Sequence, residues 1–166
     1  MAGRSCRWWL PVAFSALFLL AAGPSRGEEA KLAISGYDPV AYFTDGKPIP
    51  GQSQIEYAWH DARWRFSSAA HRDLFARDPD RYAPQYDGYC AMGVSLETEA
   101  HKDAVDPQAW AIVNGKLYLA YNRHWLEVFR ENIAENIARA DGNWPSVKEQ
   151  PVSYDGYPNN ARADKK

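Results

Sequence analysis

The chain has 166 residues, 46% of them hydrophobic and 24% charged, with a formal net charge of −2. This is the arithmetic of one globular domain, with or without tails. The near-neutral balance excludes a strongly basic nucleic-acid binder and an acidic disordered chain. Its only cysteines are Cys6 and Cys90, too few for the multi-bridge framework of a small secreted domain.

Residues 1–7 carry Arg4 and Arg7, and Trp8–Ala22 then runs without a charge. A basic start, an apolar run and a small-residue exit at Ser25 and Gly27 predict a cleaved secretory signal peptide over residues 1–27. The run is shorter than the roughly 20 residues that span a bilayer, so no stable membrane span is expected after cleavage. The exported chain, periplasmic or secreted, would begin at Glu28. Losing Arg4, Arg7 and Arg26 lowers the basic count from 19 to 16 against 21 acidic residues, so its net charge becomes −5. Cys90 is then its single cysteine. A lone thiol cannot close an internal disulfide; it is a packed small hydrophobe, an intermolecular disulfide partner, a reactive thiol or a metal ligand.

In the exported chain, Asp38-Pro39 reads as a helix start, with room for one or two turns before Asp45-Gly46. Gln54–Phe66 alternates as a β-hairpin turning at residues 60–63. Ser67 and Ser68 stand where an N-cap belongs, ahead of a short helix over 69–75 that stops near Asp78-Pro79. A loop rich in Tyr, Gly and Pro then leads into Cys90-Ala91-Met92-Gly93. Asn114-Gly115 between apolar runs predicts a second hairpin. Asn122 caps a long amphipathic helix over about 123–140, with Trp125, Phe129, Ile133 and Ile137 on one stripe, ended by Asp141-Gly142. The polar residues 146–166 read as a disordered tail. No internal repeat is visible. The expected fold is a single small α+β domain over residues 28–145, two hairpins packed with a short helix and the long C-terminal helix.

Cys90, Met92 and His71 carry the chemistry of interest. Thiolate, thioether and imidazole are soft to intermediate donors and suit Cu(I) better than oxygen-seeking Mg²⁺ or Ca²⁺. If Cys90-x-Met92 lies in a strand, the two side chains share a face. The sequence has no Cys-x-x-Cys, His-Glu-x-x-His, Gly-x-Ser-x-Gly or phosphate-binding glycine loop, so the usual zinc, hydrolase and nucleotide readings lack support.

Gly36-Tyr37-Asp38-Pro39-Val40-Ala41-Tyr42-Phe43, Trp64-x-Phe66-Ser67-Ser68, Pro79-x-x-Tyr82-x-Pro84-x-Tyr86-x-Gly88-Tyr89-Cys90-Ala91 and Gly115-Lys116-Leu117-Tyr118-Leu119 occur in that order. Together they resemble the exported bacterial YHS-domain proteins over most of residues 34–145. The resemblance implies metal binding, which related domains are thought to carry out through a Phe-Cys-Ser-x-x-Cys segment. Here Ser67 and His71 stand at the two cysteine positions, which leaves His71 as an imidazole facing Cys90. The expectation is a metal-binding protein, most plausibly for Cu(I), with Cys90, His71 and Met92 as ligands and Tyr37, Tyr42, Tyr86 and Tyr89 walling the site. Such a protein would sequester, deliver or sense the metal rather than act as an enzyme. Two alternatives stand beside it: a metal-free interaction module with an aromatic pocket, and a thiol-based enzyme or redox sensor using Cys90. The sequence names no protein partner and no nucleic acid.

Overall fold

The computed structural model describes residues 30–97 and 105–149. The expected signal peptide at 1–27 and the part of the expected tail beyond residue 149 lie outside the described residues. Along the chain run β1 (Lys31–Leu32), α1 (Ala41–Thr44), β2 (Gln52–Trp59), β3 (Ala62–Phe66), α2 (Ala69–Arg77), α3 (Pro79–Tyr82), α4 (Ala91–Ser95), β4 (Asp106–Val113), β5 (Lys116–Ala120), α5 (Arg123–Glu131) and α6 (Ile133–Lys148). The fold is α+β. One sheet has the order β1-β3-β2 and the other is the hairpin β4-β5. Among the described residues no helix is long and apolar enough to cross a membrane.

The elements repeat. Adding 54 to the bounds of β2, β3 and α2 gives those of β4, β5 and α5. Both hairpins carry a register shift at matching places, between Gln52 and Glu56 in one and between Asp106 and Trp110 in the other. Both turns open on a left-handed residue, His60 at φ 50° and Asn114 at φ 51°, and in the second Gly115 follows at φ 75°. Both following helices are capped by a side chain: Ser68 accepts from the His71 N–H and Asn122 from the Trp125 N–H. Both helices end on a residue with extended φ, Asp78 and Asn132.

The repeat begins further upstream, at two turns 52 residues apart. In Ala33–Gly36, Ile34, Ser35 and Gly36 take φ of 39°, 54° and 80°. In Gln85–Gly88, Tyr86, Asp87 and Gly88 take 57°, 51° and 78°. A β-branched residue such as Ile34 visits this region at a cost, so surrounding packing must hold the turn; Ile34 is buried, 7% exposed. Next to each turn the chain pairs in parallel with the second hairpin strand: Leu32 with Arg63, and Pro84 with Leu117. The described residues up to α5 are thus two consecutive copies of one turn–helix–hairpin–helix unit, which corrects the sequence reading of no internal repeat.

Each unit closes over a phenylalanine at the same place in its helix. Phe75 and Phe129 are both fully buried. Tyr57, Trp59, Trp64 and Phe66 ring the first; Tyr118 packs on the second. Between the units Tyr42 meets Trp110 edge-on at 5.3 Å and donates its hydroxyl to the Pro107 carbonyl.

The expected single helix over 123–140 is two. A stripe repeating strictly every four residues drifts by about 40° per step on a 3.6-residue helix. The break at Asn132 (φ −134°, ψ 55°) resets it. Asn136 then donates its side-chain amide to the Phe129 carbonyl at 2.9 Å and caps the end of α5. The helix α6 also runs through Asp141-Gly142, past the expected stop and into the residues read as tail. Buried Val147 and the Trp144 ring, packed on Tyr86 and Tyr89, hold its last turns.

Candidate functional site

Asp38 and Cys90 are equivalent positions of the two units, each the first residue after its turn's Gly-Tyr. Both are fully buried, and both collect backbone N–H groups in the same pattern. Asp38 Oδ1 accepts from the N–H of Val40 at 2.9 Å and, at a longer 3.4 Å, from Ala41, and Oδ2 accepts from the Ser67 N–H at 2.8 Å. The Cys90 sulfur accepts from the N–H groups of Met92 and Gly93 and, at 3.3 Å, from the Tyr121 N–H. Residues 67 and 121 immediately precede the caps Ser68 and Asn122.

The two cradles diverge at the helix. In the first unit the helix presents His71; the residue at that place in the second is Trp125. His71 Nδ1 lies 2.7 Å from Asp38 Oδ2, and the Ser67 hydroxyl donates to the same oxygen at 2.6 Å. Three amide N–H groups and the Ser67 hydroxyl already point at Asp38, so its contact with His71 is a hydrogen bond given by Nδ1–H. Nε2 is then the outward ring nitrogen. That nitrogen faces Thr44 Oγ1 at 3.3 Å and Asp45 Oδ2 at 3.7 Å. The His71 side chain is 17% exposed and that of Asp45 is 37% exposed, whereas Asp38 is sealed. The result is an oriented imidazole with a buried carboxylate behind it and an exposed carboxylate in front.

This order resembles a hydrolase relay, yet the hydroxyls are wrongly placed for one. A nucleophile must give its proton to the outer imidazole nitrogen. Ser67 sits on the inner side and donates to Asp38 directly. Thr44 Oγ1 is on the outer side, but acceptors already surround it, Asp45 Oδ2 at 2.7 Å and the Val40 carbonyl at 3.2 Å. The shortest of its contacts, to Asp45 Oδ2, takes its single proton.

The expected Cys90–His71–Met92 set is distributed over different surroundings. None of the hydrogen bonds of Cys90 or His71 goes to the other residue: His71 is taken by Asp38, and Cys90 by backbone amides. Burial pushes the Cys90 thiol up from its ordinary value, and the N–H groups of Gly93, Tyr121 and Met92 only partly offset this. The Cys90–Met92 segment is also not a strand. Cys90 is the N-cap of α4 and Met92 lies within it, so the two do not share a face as alternate strand residues do. The Met92 sulfur instead accepts from the Ser95 hydroxyl at 3.5 Å, inside the core. Tyr42, Tyr86 and Tyr89 are core residues too, at 1%, 6% and 6% exposure. Among the described residues no group of three or more His, Cys, Asp and Glu is arranged to hold a metal ion.

Sequence reasoning set His71 facing Cys90; the structure places it instead against Asp38 and Ser67, with the Ser67 hydroxyl 3.3 Å from Nδ1. That reasoning missed Asp38, read only as a helix cap, and Thr44 and Asp45, read as the end of a helix and a turn. A signal was present: an acidic residue before proline, able to cap by its first oxygen, has a second oxygen to spend. Compared with family models, curated proteins and solved structures, the chain matches none of them.

Proposed function

We propose that this chain is an exported YHS-type copper-binding domain whose metal is taken at His71 Nε2 and the Asp45 carboxylate, not at the Cys90 thiolate. One observation carries the reading: Asp38 holds His71 through Nδ1 and leaves Nε2 turned to a second carboxylate 3.7 Å away. A carboxylate behind a ligating imidazole is the usual support of a metal-bound histidine, fixing its tautomer and raising its basicity. The 3.7 Å separation is wider than a hydrogen bond, and two atoms that far apart can both lie about 2.0–2.2 Å from one ion, with Thr44 Oγ1 beside them.

The donor chemistry changes the expected oxidation state. Imidazole nitrogen with carboxylate oxygen suits Cu(II), which stands highest among divalent first-row ions at such sites, rather than Cu(I), which favours sulfur. Asp38 orients and Asp45 neutralises charge. Only two protein side chains ligate, so the remaining positions stay open to water or to a recipient, as sequestration with onward delivery requires.

A competition titration of the mature chain with Cu(II) against a chelator tests this. Asp45→Asn and His71→Gln are each expected to weaken binding at least about tenfold, and Asp38→Asn about 10–100-fold through loss of the support behind the ring. Cys90→Ser is expected to bind as the unmodified chain does. Equal affinity in His71→Gln would overturn the proposal, and a loss confined to Cys90→Ser would restore the thiolate site.

A further inference from the structure

From residue 28 onward the sequence contains two sulfur atoms, those of Cys90 and Met92. Both lie in the second unit, 0% and 6% exposed. The N–H groups of Met92, Gly93 and Tyr121 occupy the Cys90 sulfur, and the Ser95 hydroxyl donates to that of Met92. The outward nitrogen of His71 has oxygen neighbours instead, Thr44 Oγ1 at 3.3 Å and Asp45 Oδ2 at 3.7 Å. Of the other described imidazoles, His60 stacks on Trp59 and His124 lies against Trp125. The sealed sulfur and the exposed imidazole therefore belong to different units, and an ion at His71 meets nitrogen and oxygen only.

These donors separate the two oxidation states of copper. Cu(I) is soft and favours thiolate and thioether, whereas Cu(II) accepts imidazole and carboxylate. Charge acts in the same direction. Asp38 and Asp45 set one carboxylate behind the ring and one in front, and each attracts a dication twice as strongly as a monocation at the same distance. We propose that the site is selective for oxidation state, holding Cu(II) and giving the ion up once an enediol reductant such as ascorbate converts it to Cu(I); this rests on the copper reading of His71. The enediol loses one electron to the ion and one proton to solvent, and no covalent bond of the chain is made or broken.

Oxygen-free equilibrium dialysis of the chain from residue 28 tests this in two arms, one with Cu(II) and one with Cu(I) kept reduced by ascorbate. At equal buffered free metal, the unmodified chain is expected to hold at least about tenfold less Cu(I) than Cu(II). Asp45→Met puts a thioether at the exposed front of the site and is expected to lower Cu(II) binding and raise Cu(I) binding. Cys90→Ser is expected to leave both arms unchanged. Equal occupancy in the two arms would overturn the selectivity and leave the copper reading standing, whereas an empty Cu(II) arm would overturn both. An unchanged ratio in Asp45→Met would also overturn the selectivity. So would Cu(I) binding that disappears in Cys90→Ser, because the core sulfur would then be within reach of the ion.

Discussion

Asp38 and Cys90 show how one side chain changes what a shared cradle can do. A carboxylate has two oxygens and can satisfy five donors, so it reaches past the backbone to an imidazole. A thiol has one weakly accepting atom; three amide N–H groups occupy it and it stays sealed in the core. Gly88 belongs to the same local design. Its φ of 78° lies in the left-handed region, and an added Cβ would meet Pro84 and Ile34 at ordinary distances of 3.5 and 3.6 Å. The cost of Gly88→Ala is therefore conformational, about 1–2 kcal/mol. It is expected as a lowered urea midpoint at unchanged m-value. A neutral result would contradict the left-handed turn.

The elements are joined by side-chain amides that end one helix from another. Asn136 in α6 caps α5, and Asn143 in the same helix donates to the Val94 and Ser95 carbonyls at the end of α4. Asn136 is 2% exposed, so Asn136→Ala leaves buried carbonyls unpaired and is expected to cost about 1–3 kcal/mol. Its neighbour Arg139 bonds the Asn136 oxygen from a side chain 48% exposed, and Arg139→Ala is expected to stay within about 0.5 kcal/mol; chemical denaturation of both variants checks the contrast. Both hairpins, the caps Ser68 and Asn122 and the first turns of α2 and α5 were legible in the sequence, because alternation, Asn-Gly and capping residues are local signals. The repeat was not. Matched positions share little beyond Gly36 and Gly88, Tyr37 and Tyr89, Gln54 and Gln108, and Phe75 and Phe129. What the units share is backbone conformation, which different side chains can support. The helical state of Ala91–Ser95 was equally hidden, since α4 is fixed by packing against α6 rather than by its own pattern. The pairing of His71 with Asp38 instead of Cys90 joins residues 33 apart in sequence, and no spacing rule reaches that far.

Across the whole molecule, burial withholds protons from solvent. It raises Tyr42, Tyr86 and Tyr118 above their ordinary 10.0 and Cys90 above 9.0, with the Asp141 carboxylate adding to the rise at Tyr86 through its hydrogen bond. Once pH passes these ordinary values the unfolded chain gives up protons that the folded chain keeps. Stability is then full below about pH 9 and falls as pH rises further. Urea midpoints taken between pH 8 and 11 are expected to decline, and less steeply for Tyr86→Phe; a flat profile would contradict the burial of these hydroxyls. The same architecture assigns opposite roles to its two halves, a sealed thiol in one and an oriented, partly exposed imidazole in the other. Electron paramagnetic resonance of the chain from residue 28, loaded with Cu(II), tests that division most directly. Nitrogen coupling from one imidazole is expected, lost in His71→Gln and retained in Cys90→Ser. A spectrum unchanged by His71→Gln, or one that collapses in Cys90→Ser, would contradict it.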